Sequence, residues 1–330
     1  MRILILGGST FVGRAVAEHA VSTGHEVTLV NRGSSPAPPG TTLLIADRLA
    51  TGSLAGALDG VGDFDLVVDT WSQAPAVVAD ACRLLEERAA RYAYVSSRSV
   101  YTWPVALGAD ESAPVVAADP DAAATDYAAD KRGGELAVIR GFPDRHLIAR
   151  PGLILGPHEN IGRLPYWLDR FNRCDPILAP APHDRPLQYI DARDLACWLV
   201  DQGTGGLTGC FDTVSRRGHT TTAVLLAACR AATGSTATLI WAAEEWLTAR
   251  EITGWVDLPI WAPLDSEIDG LHGGDTSAAH TAGLRCRPIE ETVADTWSWL
   301  RQLPVPPRND TYLSRERELE LLNEWATDAQ

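Results

Sequence analysis

Residues 126–135 read DYAADKRGGE and contain Lys131, the only lysine among 330 residues; the other side-chain cations are arginines. Tyr127 precedes it by four positions. Residues four apart on a helix share a face, so phenol and ammonium can converge on one ligand. A phenol titrates near ~10 and is protonated at neutral pH. A neighbouring ammonium stabilises the phenolate and brings the group closer to work as a proton donor and acceptor. Lysine also offers ribose hydroxyls a compact, rotatable donor set, which a planar guanidinium does less well. That is a reason for arginine not to have replaced it. Gly133 and Gly134, each costing roughly 1 kcal/mol in a helix interior, point to close backbone packing on the same helix.

Thirty residues earlier, YVSSRSVY ends a strand pattern with Ser96 and Ser97. Ligands of open α/β sheets lie at the carboxyl ends of strands, where a serine hydroxyl can donate to a substrate oxygen beside the tyrosine. Eleven tryptophans are many for this length. Trp71 and Trp103 follow the fourth and fifth strands and are candidate walls of an apolar or aromatic substrate pocket. Arg98 and His158 are candidates for a polar substrate group.

The segment ILILGGSTFVGRAV has the form of a cofactor turn. Gly7, Gly8 and Gly13 sit where a first strand passes into a helix, and glycine permits a pyrophosphate to approach the helix N-terminus. The expected contact set is Gly7, Gly8, Ser9, Thr10, Phe11, Val12 and Gly13. Thr10 stands where the usual pattern has its middle glycine. A carboxylate at the end of the second strand would suit the ribose of NAD, but the chain reads Asn31-Arg32. A guanidinium can grip a 2′-phosphate in bidentate fashion, so NADP(H) is favoured over NAD(H). Asp47, ending the third strand, is a candidate for the adenine amine, with Arg48 beside it.

These groups need a scaffold. Strand patterns at RILILG, HEVTLVN, TTLLIAD, FDLVVDT, RYAYVSS and HLIARPG alternate with helical patterns over 12–23, 75–88 and 125–140. This predicts parallel β-α-β units in an α/β, doubly wound sheet. Residues 32–43 contain SSPAPPG and are expected to be a loop. The dinucleotide-binding domain is expected over 1–155, with returning segments about 186–216. A smaller mixed substrate lobe takes up most of 156–330, with helices expected over 164–174, 220–232, 243–252, 288–302 and 314–327.

Composition sets the limits. The formal net charge of −15 repels phosphate backbones and anionic membranes, so neither nucleic-acid nor membrane partners are expected. Cys82, Cys174, Cys197, Cys210, Cys229 and Cys286 show no metal-binding spacing and read as buried thiols in a reducing compartment. No metal site is expected. The apolar start MRILILGG is too short for a signal peptide and no stretch approaches spanning length, which predicts a cytoplasmic protein.

Together the glycine turn, Ser97, YAADK, ARPGLILGP and YIDARDLA resemble the extended short-chain dehydrogenase/reductase superfamily. The resemblance is closer to its NAD-dependent epimerase/dehydratase-like branch with a GGxxFVG turn, and it extends through FDTVS to RPIEETVADTWSWL. It implies a Rossmann fold with Tyr127 as catalytic acid/base, Lys131 on the nicotinamide ribose and Ser97 as substrate-oxygen donor. It also places Thr70 and Pro151 beside the cofactor. Three departures narrow the chemistry it implies. Arg98-Ser99 replaces the Asp-Glu pair that water elimination needs. Arg150-Pro151-Gly152-Leu153 lacks the amide of the Arg-x-x-Asn pattern of sugar-nucleotide enzymes. The arginine preceding the YI strand in those enzymes is displaced, the nearest being Arg185. The expectation is therefore an NADPH-dependent reductase of a small carbonyl compound in secondary metabolism, monomeric or homodimeric through helices 75–88 and 125–140. A sugar-nucleotide epimerase is the rival, and a nucleotide- or RNA-binding relative without catalysis a third reading.

Overall fold

The computed structural model describes residues 1–328 except 174, 265 and 308. The first half runs β1 (Arg2–Leu6), α1 (Phe11–Ser22), β2 (Glu26–Asn31), β3 (Thr41–Ile45), α2 (Ser53–Ala57) and β4 (Leu66–Asp69). It continues with α3 (Pro75–Leu85), β5 (Tyr92–Val95), α4 (Tyr127–Gly141) and β6 (His146–Arg150). The second half holds β7 (Leu153–Leu155), α5 (Arg163–Arg173), β8 (Ile177–Pro180), β9 (Pro186–Leu187), β10 (Tyr189–Asp191), α6 (Ala192–Gly205) and β11 (Gly209–Asp212). It ends with β12 (Thr220–Thr221), α7 (Thr222–Thr233), β13 (Leu239–Ala242), α8 (Glu244–Thr248), α9 (Ser277–Thr281), α10 (Ile289–Leu300) and α11 (Arg315–Asp328).

Seven strands form one parallel sheet in the order β11-β6-β5-β4-β1-β2-β3. The unbroken apolar runs require this: Ile3, Leu4, Ile5 and Leu6 of β1 are all buried, as expected for strands covered on both faces. α1 and α6 pack together on one face, α3 and α4 on the other. Chain order reverses between β1 and β4, where a ligand crevice opens at the carboxyl ends. Register aligns those ends, pairing Leu6 with both Val30 and Asp69.

The lobe beyond β6 gathers α5, α7, α10 and α11 around a second core with Trp167 and Trp261 buried; Trp246 and Trp255 pack against it. Those tryptophans are structural. The helix expected over 243–252 stops at Thr248, because Ile252 bonds back to Leu247 and Glu251 takes a positive φ of 60°. The parallel β8–β13 pair was not anticipated. Cys82 and Cys229 are buried as expected, but Cys197, Cys210 and Cys286 are only partly so; these five are free thiols, and Cys174 lies outside the described residues. Among the described residues no helix is long and apolar enough to cross a membrane, and no group of His, Cys, Asp and Glu is arranged to hold a metal.

Candidate active site

A cleft of about 460 Å³ opens over the carboxyl ends of β1, β2, β3 and β4. Its floor is the glycine turn. Gly7 and Gly8 have φ of 122° and 92°, a region open to glycine, and a Cβ on Gly13 would sit 2.7 Å from the Gly8 nitrogen. The turn therefore brings the start of α1 against β1 at a distance only hydrogen tolerates. Thr10 is the N-cap of α1 but makes no side-chain cap bond, so the first N–H groups of the helix are left for an anion. Gly7, Gly8, Ser9 and Thr10 line the cleft. Phe11 and Val12 do not: both are buried in the core beneath, so their expected cofactor role reduces to main-chain placement.

Asn31 donates its amide to the Gly7 carbonyl at 3.0 Å and accepts from the Gly33 nitrogen at 2.8 Å. It braces the turn against β2. Arg32, next in sequence and exposed, lines the cleft and has no ion-pair or hydrogen-bond partner among the described residues. Asp47 lines the cleft and accepts from the Leu49 nitrogen. Arg48 also lines it, but its guanidinium is already held by both oxygens of Asp69 (2.7 and 2.9 Å) and lies 5.0 Å over the Trp71 ring. It braces the cleft from within while lining it.

Asp69 was not anticipated. It is fully buried and takes four donors, the two from Arg48 plus the Tyr92 hydroxyl at 2.6 Å and the Trp71 nitrogen at 2.9 Å. Burial alone would raise its pKa, but the Arg48 ion pair holds the carboxyl below its usual range. Ser34, Leu49, Ser72, Gln73 and Asn160 complete the lining together with Thr70, whose hydroxyl donates to the Leu6 carbonyl.

The cleft joins the tyrosine-lysine helix through Trp71. Lys131 is buried and its Nζ donates to the carbonyl oxygens of Trp71 and Val95, both at 2.6 Å. Burial draws the ammonium down to about 7, against the attraction of Asp69 and Glu135. The Tyr94 ring centroid lies 4.9 Å from Nζ. Tyr127 opens α4 after Asp126, whose carboxylate caps Ala128 and Ala129; the Tyr127 phenol is 52% exposed and makes no hydrogen bond among the described residues. The paired glycines in the interior of α4, Gly133 and Gly134, are explained by contact. A Cβ on Gly133 would meet Pro75 at 2.5 Å, and one on Gly134 would meet the Tyr94 hydroxyl at 2.4 Å.

Ser97 is nearly buried at the end of β5, and its hydroxyl accepts from the Ser99 nitrogen and donates to the Ser99 hydroxyl, both at 3.1 Å. Pro151 is buried and its carbonyl accepts from the Arg98 nitrogen at 3.0 Å. Neither lines the dinucleotide cleft. Trp71, expected as a substrate wall, instead lines the dinucleotide cleft, with its indole N–H on the Ala74 carbonyl. Trp103 is half-buried in the loop after β5, outside that cleft.

Two expected substrate contacts have partners within the fold. Arg98 is 1% exposed; its Nε lies 3.1 Å from Asp212 and its Nη1 donates to the Leu271 carbonyl. It clamps the Leu271 segment to the end of β11. His158 turns its ring onto Trp299 of α10, 5.2 Å between centroids, and burial followed by nearby Arg14 lowers its pKa.

The sequence model described as "NAD dependent epimerase/dehydratase family" matches residues 3–200. Among solved structures, the chain is similar to Bordetella bronchiseptica WbmH in complex with NAD+ at 15% identity and a TM-score of 0.69; the match covers 92% of this chain and 99% of that one. It is similar to the UDP-glucose 4-epimerase of Thermotoga maritima with UDP-glucose at 15% identity and a TM-score of 0.63, with the same coverages. The UDP-glucose 4-epimerase of Thermus thermophilus in complex with NAD gives 17% identity and a TM-score of 0.64, covering 91% and 99%. At these identities the structural likeness establishes the fold. No curated protein matches the sequence.

Proposed function

The chain belongs to the NAD-dependent epimerase/dehydratase family, and from that premise we propose that it is an NADPH-dependent reductase of a small carbonyl compound. The observation that carries the cofactor choice is Arg32, a guanidinium without a partner among the described residues, on the cleft wall at the end of β2, where a ribose-binding carboxylate would stand in an NAD site. Asn31 beside it is occupied by the turn. The cradle fits a dinucleotide: α1 offers uncapped N–H groups and side chains are excluded from the glycine turn.

When bound, the nicotinamide supplies the hydride for the carbonyl carbon. Ser97 then donates to the carbonyl oxygen and Tyr127 delivers the proton that neutralises it. Lys131 would hold the ribose with the proton its two carbonyl partners leave free. Ser99 keeps the Ser97 hydroxyl oriented in the meantime.

A sugar-nucleotide epimerase would use the same tyrosine, lysine and serine with retained NAD, and the family itself favours that reading. Two features of the chain weigh against it. Arg185, the nearest candidate for a diphosphate, is paired with Asp269 at 2.6 Å, and Leu153 fills a core position where an amide would be needed. Cofactor bookkeeping separates the two. Net NADPH oxidation with an aldehyde or ketone panel supports the reductase; redox-neutral conversion of a UDP-sugar without added cofactor supports the epimerase.

A further inference from the structure

Tyr127, Lys131 and Glu135 are spaced i, i+4, i+8 along α4 and form one stripe. The catalytic reading uses the first two and leaves Glu135, which is fully buried. Its carboxylate receives the Ser96 hydroxyl at 2.7 Å, Nε and Nη2 of Arg150 at 2.8 Å each, and Nη1 of Arg132 at 2.7 Å. Ser96 adjoins Ser97 at the end of β5, and Arg150 adjoins Pro151 at the end of β6. One carboxylate thus ties two strand ends to the helix that carries the phenol and the ammonium.

The two carbonyls that bind Lys131 take two of its three protons but bring no countercharge. Charge of opposite sign faces it from two elements: Asp69 at the end of β4 and Glu135 on α4 itself. Behind Asp69 stand Arg48 and the Tyr92 hydroxyl; around Glu135 stand Arg150 and Arg132. From β5 the Tyr94 ring presents its π face, and Tyr127 stands one turn earlier on α4.

We propose that Glu135 is a positioning residue of the proton-transfer centre, holding the Lys131 ammonium charged and in register with Ser97. The role rests on the reading of Lys131 given above, but it can be measured without substrate or cofactor. Because the chain has one lysine, protein grown on lysine labelled with ¹³C at Cε gives a single lysine resonance, whose titration reports Lys131 alone. Glu135→Gln is expected to move the midpoint to lower pH by roughly half a unit or more, the scale on which one nearby charge acts. Arg132→Gln, which removes the partly exposed cation from Glu135, is expected to move it upward. Simple loosening of the site would hydrate the ammonium and shift both variants toward the ordinary lysine range. A rise or no change in Glu135→Gln therefore overturns the proposal. Should that variant not fold, Arg132→Gln decides by its salt dependence: a rise that shrinks at high salt supports the role, because screening acts on charge and not on hydration, whereas a rise that salt leaves unchanged, or an unmoved or lower midpoint, overturns it. None of these outcomes depends on whether Tyr127 proves catalytic.

Discussion

The Lys131 ammonium lies 2.6 Å from the main-chain oxygen of Val95, at the end of the strand that leads into Ser97. A second carbonyl, from Trp71, takes another of its protons at the same distance. The slot between them admits one nitrogen. Lys131→Arg is therefore expected to overpack it, costing about 1–3 kcal/mol. Thermal melting should register this as a drop of several degrees, and fluorescence titration should show weaker NADPH binding. An unchanged melting point would mean the slot is roomier than described.

Arg32 offers the cleft an unshared guanidinium. Losing charge-assisted hydrogen bonds of about 1.5–3 kcal/mol should weaken NADPH binding in Arg32→Ala by roughly 10- to 100-fold. NADH binding should be unaffected, and paired titrations of both cofactors into both proteins check this. A proportional loss for NADH would remove Arg32 as the discriminating residue.

Arg98 and Asp212 form a buried pair. Burial already raises Asp212 to about 6, partly opposed by Arg98. Breaking such a pair costs about 3–5 kcal/mol. Removing the cation in Arg98→Met raises the folded-state value further above that of the unfolded chain. The sign follows from linkage: the stability deficit of the variant should grow as pH rises from 5 to 8. Chemical denaturation at both values tests this, and a deficit that shrinks with pH would contradict it.

Glu159 is fully buried and caps α5, accepting from the nitrogens of Arg163 (2.7 Å) and Leu164 (3.2 Å). Burial pushes its pKa from 4.5 up to about 7. A carboxyl raised on folding contributes stability that is complete below its unfolded value and lost as pH climbs through the folded one. Glu159→Gln does not titrate. The melting-point difference should move in its favour between pH 4.5 and 7 and then level off. A difference that stays flat across that window would show that Glu159 ionises as freely as in water.

Much of the scaffold can be read from the chain because it depends on local pattern. The buried ILIL run, the glycine turn and the Tyr127-Lys131 stripe declare themselves over a few residues. Gly133 and Gly134 likewise signalled the close packing against Pro75 and Tyr94. What stayed hidden are the choices arginines make among distant partners. Arg48 beside a cofactor turn looks like a ligand contact until Asp69, 21 residues on, is brought beneath it. Arg98 looked available for substrate because Asp212 reaches it only after β11 joins the far edge of the sheet. His158 turned toward Trp299 for the same reason: the α10 surface that receives it is assembled by the fold. The apolar residues of β1 carry no such ambiguity, whereas each arginine had several possible carboxylates.

The central claim is that Tyr127 handles the proton. Wild type and Tyr127→Phe should be compared for net NADPH oxidation across a panel of aldehydes and ketones, with NADPH affinity measured in parallel. Loss of a general acid predicts a fall in kcat of at least about 100-fold with cofactor affinity preserved. Turnover by the Phe variant at the wild-type rate would contradict the account.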